Sequence, residues 1–103
     1  MVNSEISQAL VKAAALVRGA WCRGSLARDG KGRVTDVGSP KGVRFCPLGA
    51  MMKVCGDNPD LYKAVRDSFF RHTGYYPHEW NDGFAKNGRD CSDKLKEIAA
   101  LIE

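Results

Sequence analysis

The sequence contains no stretch of about 18 apolar residues, so no membrane-spanning helix is expected. It has no basic leader either. The opening MVNSEISQALVKAAALV carries Glu5 and Lys12 inside its apolar run and reads as a helix, not a secretory signal. Paired cysteines and paired histidines are missing too. The cysteines stand singly at 22, 46, 55 and 91, and the histidines are His72 and His78. Structural zinc sites usually carry closely spaced ligand pairs, so no metal and no cofactor is expected. The phosphate-loop pattern G-x-x-x-x-G-K-[ST] is absent, as are repeats, linkers and low-complexity tracts. What remains is one domain of 103 residues, long enough to bury a modest core. Its expected place is the cytoplasm, with its cysteines reduced.

The charge is unevenly distributed. Residues 18–53 hold eight basic and two acidic residues, a surplus of six, whereas residues 54–103 hold seven basic and nine acidic. The stretch from Trp21 to Ala50 is also rich in glycine and arginine. Separation of this kind favours an acidic partner for the middle segment.

Periodicity predicts a mostly α fold with one small β-hairpin, about four helices around a single core. The first helix covers residues 4–18, with Ile6, Leu10, Ala14 and Val17 on one stripe and Asn3 or Ser4 as cap. Short strands are expected at 21–27 and 33–37, joined by the turn Asp29-Gly30-Lys31-Gly32. A second helix runs from about Phe45 to Cys55, with Pro47 in its first turn. Asn58-Pro59 opens a third, closed by Thr73-Gly74. Residues 75–90 read as an irregular aromatic loop, and the last helix starts near Ser92.

Several groups of residues suggest chemistry. Arg23, Arg28, Ser39, Lys41 and Arg44 combine cations, a hydroxyl and Gly-rich backbone, the ingredients of an anion site. For Arg28 the plainer alternative is a local salt bridge with Asp29. Cys46 stands at the start of a helix, where the dipole can lower a thiol pKa. His72, His78 and Asp82 are candidate partners for it in a Cys-dependent hydrolase or transferase. The preferred reading of Cys46, between Phe45 and Leu48, is a small buried hydrophobe. Trp21 and Trp80 read as core, Tyr75 and Tyr76 stay open to stacking on a base or a partner, and Asn81-Asp82 reads as a turn organiser. The pairs Met51-Met52 and Phe69-Phe70 each point partly away from one core face, which would suit self-association.

The blocks Trp21-Cys22-x-Gly24, Ala27-Arg28-Asp29, Val34, Val43-Arg44-Phe45-Cys46-x-Leu48-Gly49-Ala50 and Trp80-Asn81-Asp82 together resemble a family of small bacterial and phage proteins with a domain of unknown function. The likeness spans roughly residues 5–102 and implies the architecture but no activity. Its phage members suggest one use, a phage-type protein that counters host defence by sequestering a nucleotide signal or blocking an acidic surface. The leading expectation is therefore a non-enzymatic binding module for a phosphorylated ligand or an acidic protein partner. Nucleic acid is less favoured because no recognition-helix motif is visible. The alternatives are the Cys46 enzyme and an oligomer-forming structural protein.

Overall fold

A computed structural model describes residues 2–102. The elements run α1 (Asn3–Gly19), β1 (Ala27–Arg28), β2 (Arg44–Phe45), α2 (Pro47–Cys55), α3 (Pro59–Thr73), α4 (Pro77–Gly83) and α5 (Gly88–Ile102). The fold is mostly α with a two-stranded antiparallel sheet, and it has five helices where about four were expected.

Helices α1 and α5 pack side by side and form the main layer. The stripe of α1 is built mostly of small residues: Ala9, Ala13, Ala14 and Val17 are buried beside Ile6 and Leu10. Small side chains let α5 come close, and it answers with Cys91, Leu95, Ile98 and Ala99. The Ser7 hydroxyl donates to the Ala99 carbonyl at 3.2 Å, fixing the register of the two helices. Neither expected residue caps α1. Val2 holds that position without a side-chain bond, and Asn3 instead donates to the Ile102 carbonyl.

Helices α2 and α3 start and stop near their expected positions. Asn58 caps α3 by accepting from the Leu61 N–H at 3.1 Å. Gly74 closes it in the left-handed conformation, at φ 80°, where a side chain would be strained.

Two segments differ from expectation. Residues 75–90 contain α4, a short helix that starts at Pro77. The Glu79 carboxylate accepts from the Tyr76 N–H at 3.0 Å, satisfying a donor at the helix start. Helix α5 begins at Gly88 rather than near Ser92, because the Asn87 side chain accepts from the Asp90 N–H at 2.9 Å.

The hairpin partner also differs. The turn at Asp29–Gly32 forms as expected: the Gly32 N–H donates to the Asp29 carbonyl, and Gly32 sits at φ 83°. Residues 33–37 nonetheless contribute only one bridge, Val34 to Arg28. The lasting partner of β1 is β2, in the register Ala27 to Phe45 and Arg28 to Arg44. Burial explains the choice. Pairing with β2 places Ala27 and Phe45 together in the core, both almost fully covered, whereas Val34 stays 67 % exposed.

Candidate functional site

Alternation along a strand puts successive side chains on opposite faces. With Ala27 and Phe45 turned into the core, their neighbours Arg28 and Arg44 share the other face, directly across from each other. Like charges in that relation repel. Among the described residues the ion pairs are Asp29 with Arg33, Arg66 with Asp67 and Lys94 with Glu97. None of them involves Arg28 or Arg44.

Asp29 therefore pairs with Arg33, not with its neighbour Arg28. Its carboxylate also accepts from the Lys31 and Arg33 N–H groups. These contacts, the Arg33 backbone bond first, hold its carboxyl below the ordinary value. The turn brings Arg33 onto Asp29, while the Arg28 guanidinium is taken up by the Gly32 and Arg23 carbonyls.

The five residues of the expected anion site are not equally free. Arg28 donates to the Gly32 carbonyl at 2.9 Å and to the Arg23 carbonyl at 3.2 Å, so part of its fork holds the hairpin in shape. Arg23 lies over the Trp21 ring at 5.4 Å and donates to the Ala85 carbonyl. The loop 36–42 folds into consecutive turns. The Ser39 N–H donates to Asp36, the Gly42 N–H to the Ser39 carbonyl, and the Lys41 N–H to the Ser39 hydroxyl. Three of its backbone donors, those of Ser39, Lys41 and Gly42, are spent on the loop itself. Lys41 and Arg44 are exposed.

The second group also converges. Cys46, His78 and Asp82 line one small pocket of about 150 Å³ together with Gly24, Ser25 and Leu26. His72 is not part of it. That residue sits on α3 with Nδ1 2.8 Å from the Ser68 carbonyl. Cys46 caps α2, its sulfur accepting from the Gly49 N–H at 3.4 Å. Among the described residues no hydrogen bond links it to His78 or Asp82.

The helix start and its N–H groups favour a thiolate, and burial opposes it. Burial wins, because Cys46 is 2 % exposed and its thiol is pushed up to about 11. At neutral pH the thiol stays protonated, a poor nucleophile. Cys22, Cys55 and Cys91 are likewise raised, burial being the first cause in each. Iodoacetamide at neutral pH should leave Cys46 unmodified in the folded protein and label it readily in urea, as read by peptide mass mapping. Fast labelling of the folded protein would revive the Cys46 enzyme.

Asn81 is a residue whose role the sequence hides. It is fully buried. Its Oδ1 accepts from the Trp21 indole N–H at 2.7 Å and the Cys91 thiol at 3.1 Å, and its Nδ2 donates to the Cys22 carbonyl at 3.1 Å. It is a tie between α4, α5 and the segment leading to the hairpin, not a turn organiser. Beside it the Asp82 carboxylate accepts from the Gly24 N–H at 3.2 Å. An Asn-Asp pair reads as a turn organiser in sequence, and only the distant partners of Asn81 reveal it as core.

These features define a small helical domain that presents a basic hairpin packed against α1 and α2. The chain belongs to DUF6197, a family of unknown function, whose model covers residues 1–101. No curated protein and no solved structure matches it. Among the described residues no helix is long and apolar enough to cross a membrane.

Proposed function

We propose that this chain is a non-enzymatic binding module that takes a phosphate-bearing ligand on its hairpin. The observation that carries the reading is the cross-strand pair Arg28 and Arg44, on one face and without a carboxylate partner among the described residues. An anion seated between them would relieve their repulsion, and arginine forks match phosphate oxygens in charge and shape. Lys41, three residues before Arg44, is exposed and adds a further cation to the segment. A cytoplasmic setting suits the four unpaired cysteines.

The reading is tested by titrating inorganic triphosphate into isotope-labelled protein at low salt. Backbone amide shifts should concentrate in residues 23–28 and 41–45, with smaller effects on α1 and α5. Shifts confined to other surfaces, or none at millimolar ligand, would remove it.

A further inference from the structure

A track of exposed rings leads to the basic pair. Phe70, at the end of α3, stands 4.7 Å from the Tyr76 ring, centroid to centroid. Tyr76 in turn lies nearly parallel to His78, at 14° and 6.4 Å. The two rings form an offset parallel pair, at a separation within the range such pairs adopt. Phe70 is 41 % and Tyr76 38 % exposed, so each ring keeps part of its surface open to solvent. His78 then lines the pocket shared with Gly24, Ser25 and Leu26. Beyond Gly24 lies the Arg28 guanidinium, close enough that a Cβ on Gly24 would stand 3.7 Å from Nη2. Opposite Arg28 is Arg44.

One cation also lies against the rings. Arg66 lies over Tyr76 at 5.8 Å and over Tyr62 at 5.6 Å, while keeping Asp67 as its ion-pair partner. Carboxylates beside the track face main-chain donors: Glu79 takes the Tyr76 N–H, and Asp82 takes the Gly24 N–H. Asp90, Asp93 and Glu97 gather elsewhere, in the cleft beside Trp80 and Phe84, and keep a polyanion off that flank.

We infer that the ligand is a single-stranded nucleic acid, its bases stacked on Phe70, Tyr76 and His78 and its phosphates directed to Arg28 and Arg44. This rests on the reading of the hairpin as a phosphate-binding face and deepens it. Charge complementarity selects a polyanion. The exposed ring faces select one with planar groups along its length, which an acidic peptide lacks and a duplex keeps stacked inside.

The test is fluorescence anisotropy at low salt with a labelled oligo-dT of about 12 nucleotides, a length in the range such surfaces cover. A duplex of equal length, a poly-glutamate peptide and inorganic triphosphate are the comparison ligands. Oligo-dT should bind more tightly than the duplex or the peptide. Tyr76→Ala and Phe70→Ala should each weaken oligo-dT roughly tenfold and leave triphosphate binding unchanged, whereas Arg44→Glu should weaken both. Tyr76→Phe, which keeps the ring, should restore oligo-dT binding, and this also answers the case in which Tyr76→Ala unfolds. Equal binding of peptide or duplex, or indifference of oligo-dT to the loss of either ring, overturns the inference. Triphosphate binding without oligo-dT binding overturns it too, and leaves the phosphate-binding hairpin standing. Binding of neither removes both.

Discussion

Gly49→Ala should destabilise the protein by about 3 kcal/mol, an overpacking cost at the upper end of the usual range. A Cβ on Gly49 would run into the Leu26 carbonyl oxygen and stand 2.8 Å from the Leu26 carbonyl carbon. Both are main-chain atoms of the segment entering β1, so neither can swing aside as the tip of a side chain would. The same carbonyl accepts from the Cys46 N–H at 3.3 Å, which holds α2 against the hairpin. Within an isolated helix, alanine would be favoured over glycine by about 1 kcal/mol. The clash outweighs that gain because separating α2 from the hairpin would expose Ala27, Phe45 and Leu48, all buried now. Gly88→Ala belongs to the same class. Its Cβ would meet the Val17 carbonyl oxygen, with the Arg18 carbonyl oxygen at 2.8 Å and the Trp21 Cβ at 2.9 Å, where α5 starts against the end of α1. A Cβ on Gly19 would meet nothing within 4 Å, so that position serves as the control. Thermal unfolding should show Tm falling on the order of 15 °C for Gly49→Ala or Gly88→Ala. Gly19→Ala should melt at or slightly above the parent. Equal melting of all three variants would mean that the backbones do not approach this closely.

Asn81→Ala should cost on the order of 3–4 kcal/mol. The substitution strands the Trp21 indole N–H and the Cys22 carbonyl, and each buried polar group left without a partner costs about 1–3 kcal/mol. It also removes the acceptor for the Cys91 thiol. Asn81→Asp is no rescue, because it keeps an acceptor for Trp21 but loses the donor to Cys22 and places a charge in the core. Both variants should melt early, and Trp21 emission should shift to the red as the indole N–H turns to water. Calorimetric unfolding within about 1 kcal/mol of the parent would show that the buried network contributes little.

Much of the helical architecture was legible in the sequence because its signals are local. The stripe of α1, the Asn58-Pro59 start of α3 and its Gly74 stop each lie within a few residues of the feature they specify. Helix α4 carried a local signal as well, Pro77 followed by Glu79, but the aromatic and glycine content around it read as loop. The pairing of β1 with β2 spans the whole 29–43 connection. No turn pattern announces it, and the strong Asp29–Gly32 turn pointed to the adjacent segment instead.

The same contrast holds for the site. Basic residues at 23, 28, 41 and 44 were visible by charge, yet their bonds to Gly32, Arg23 and Ala85 were not. Sequence placed Cys46 at a helix start, where its thiol pKa would drop. The preferred reading, a small buried hydrophobe between Phe45 and Leu48, agrees with its place in the core, and burial outweighs the helix start. Met51 and Phe69 turned out fully covered beside half-buried Met52 and exposed Phe70, which is what adjacent apolar pairs on a helix must do. Of these, Phe70 supplies the first ring of the aromatic track.

The two readings of the hairpin, scaffold and site, separate by residue. Arg23 and Arg28 hold main-chain carbonyls, so reversing their charge would disturb the hairpin as well as any ligand. Arg44 and Lys41 are exposed, and no side-chain hydrogen bond of theirs appears among the described residues. The most direct measurement of the central claim is therefore calorimetric titration of inorganic triphosphate into the parent and into an Arg44→Glu, Lys41→Glu double variant. The parent should bind, and the double variant should lose at least tenfold in affinity while its Tm stays within a few degrees. Equal binding by the two proteins, with both folded, would contradict the assignment of the hairpin as the binding face.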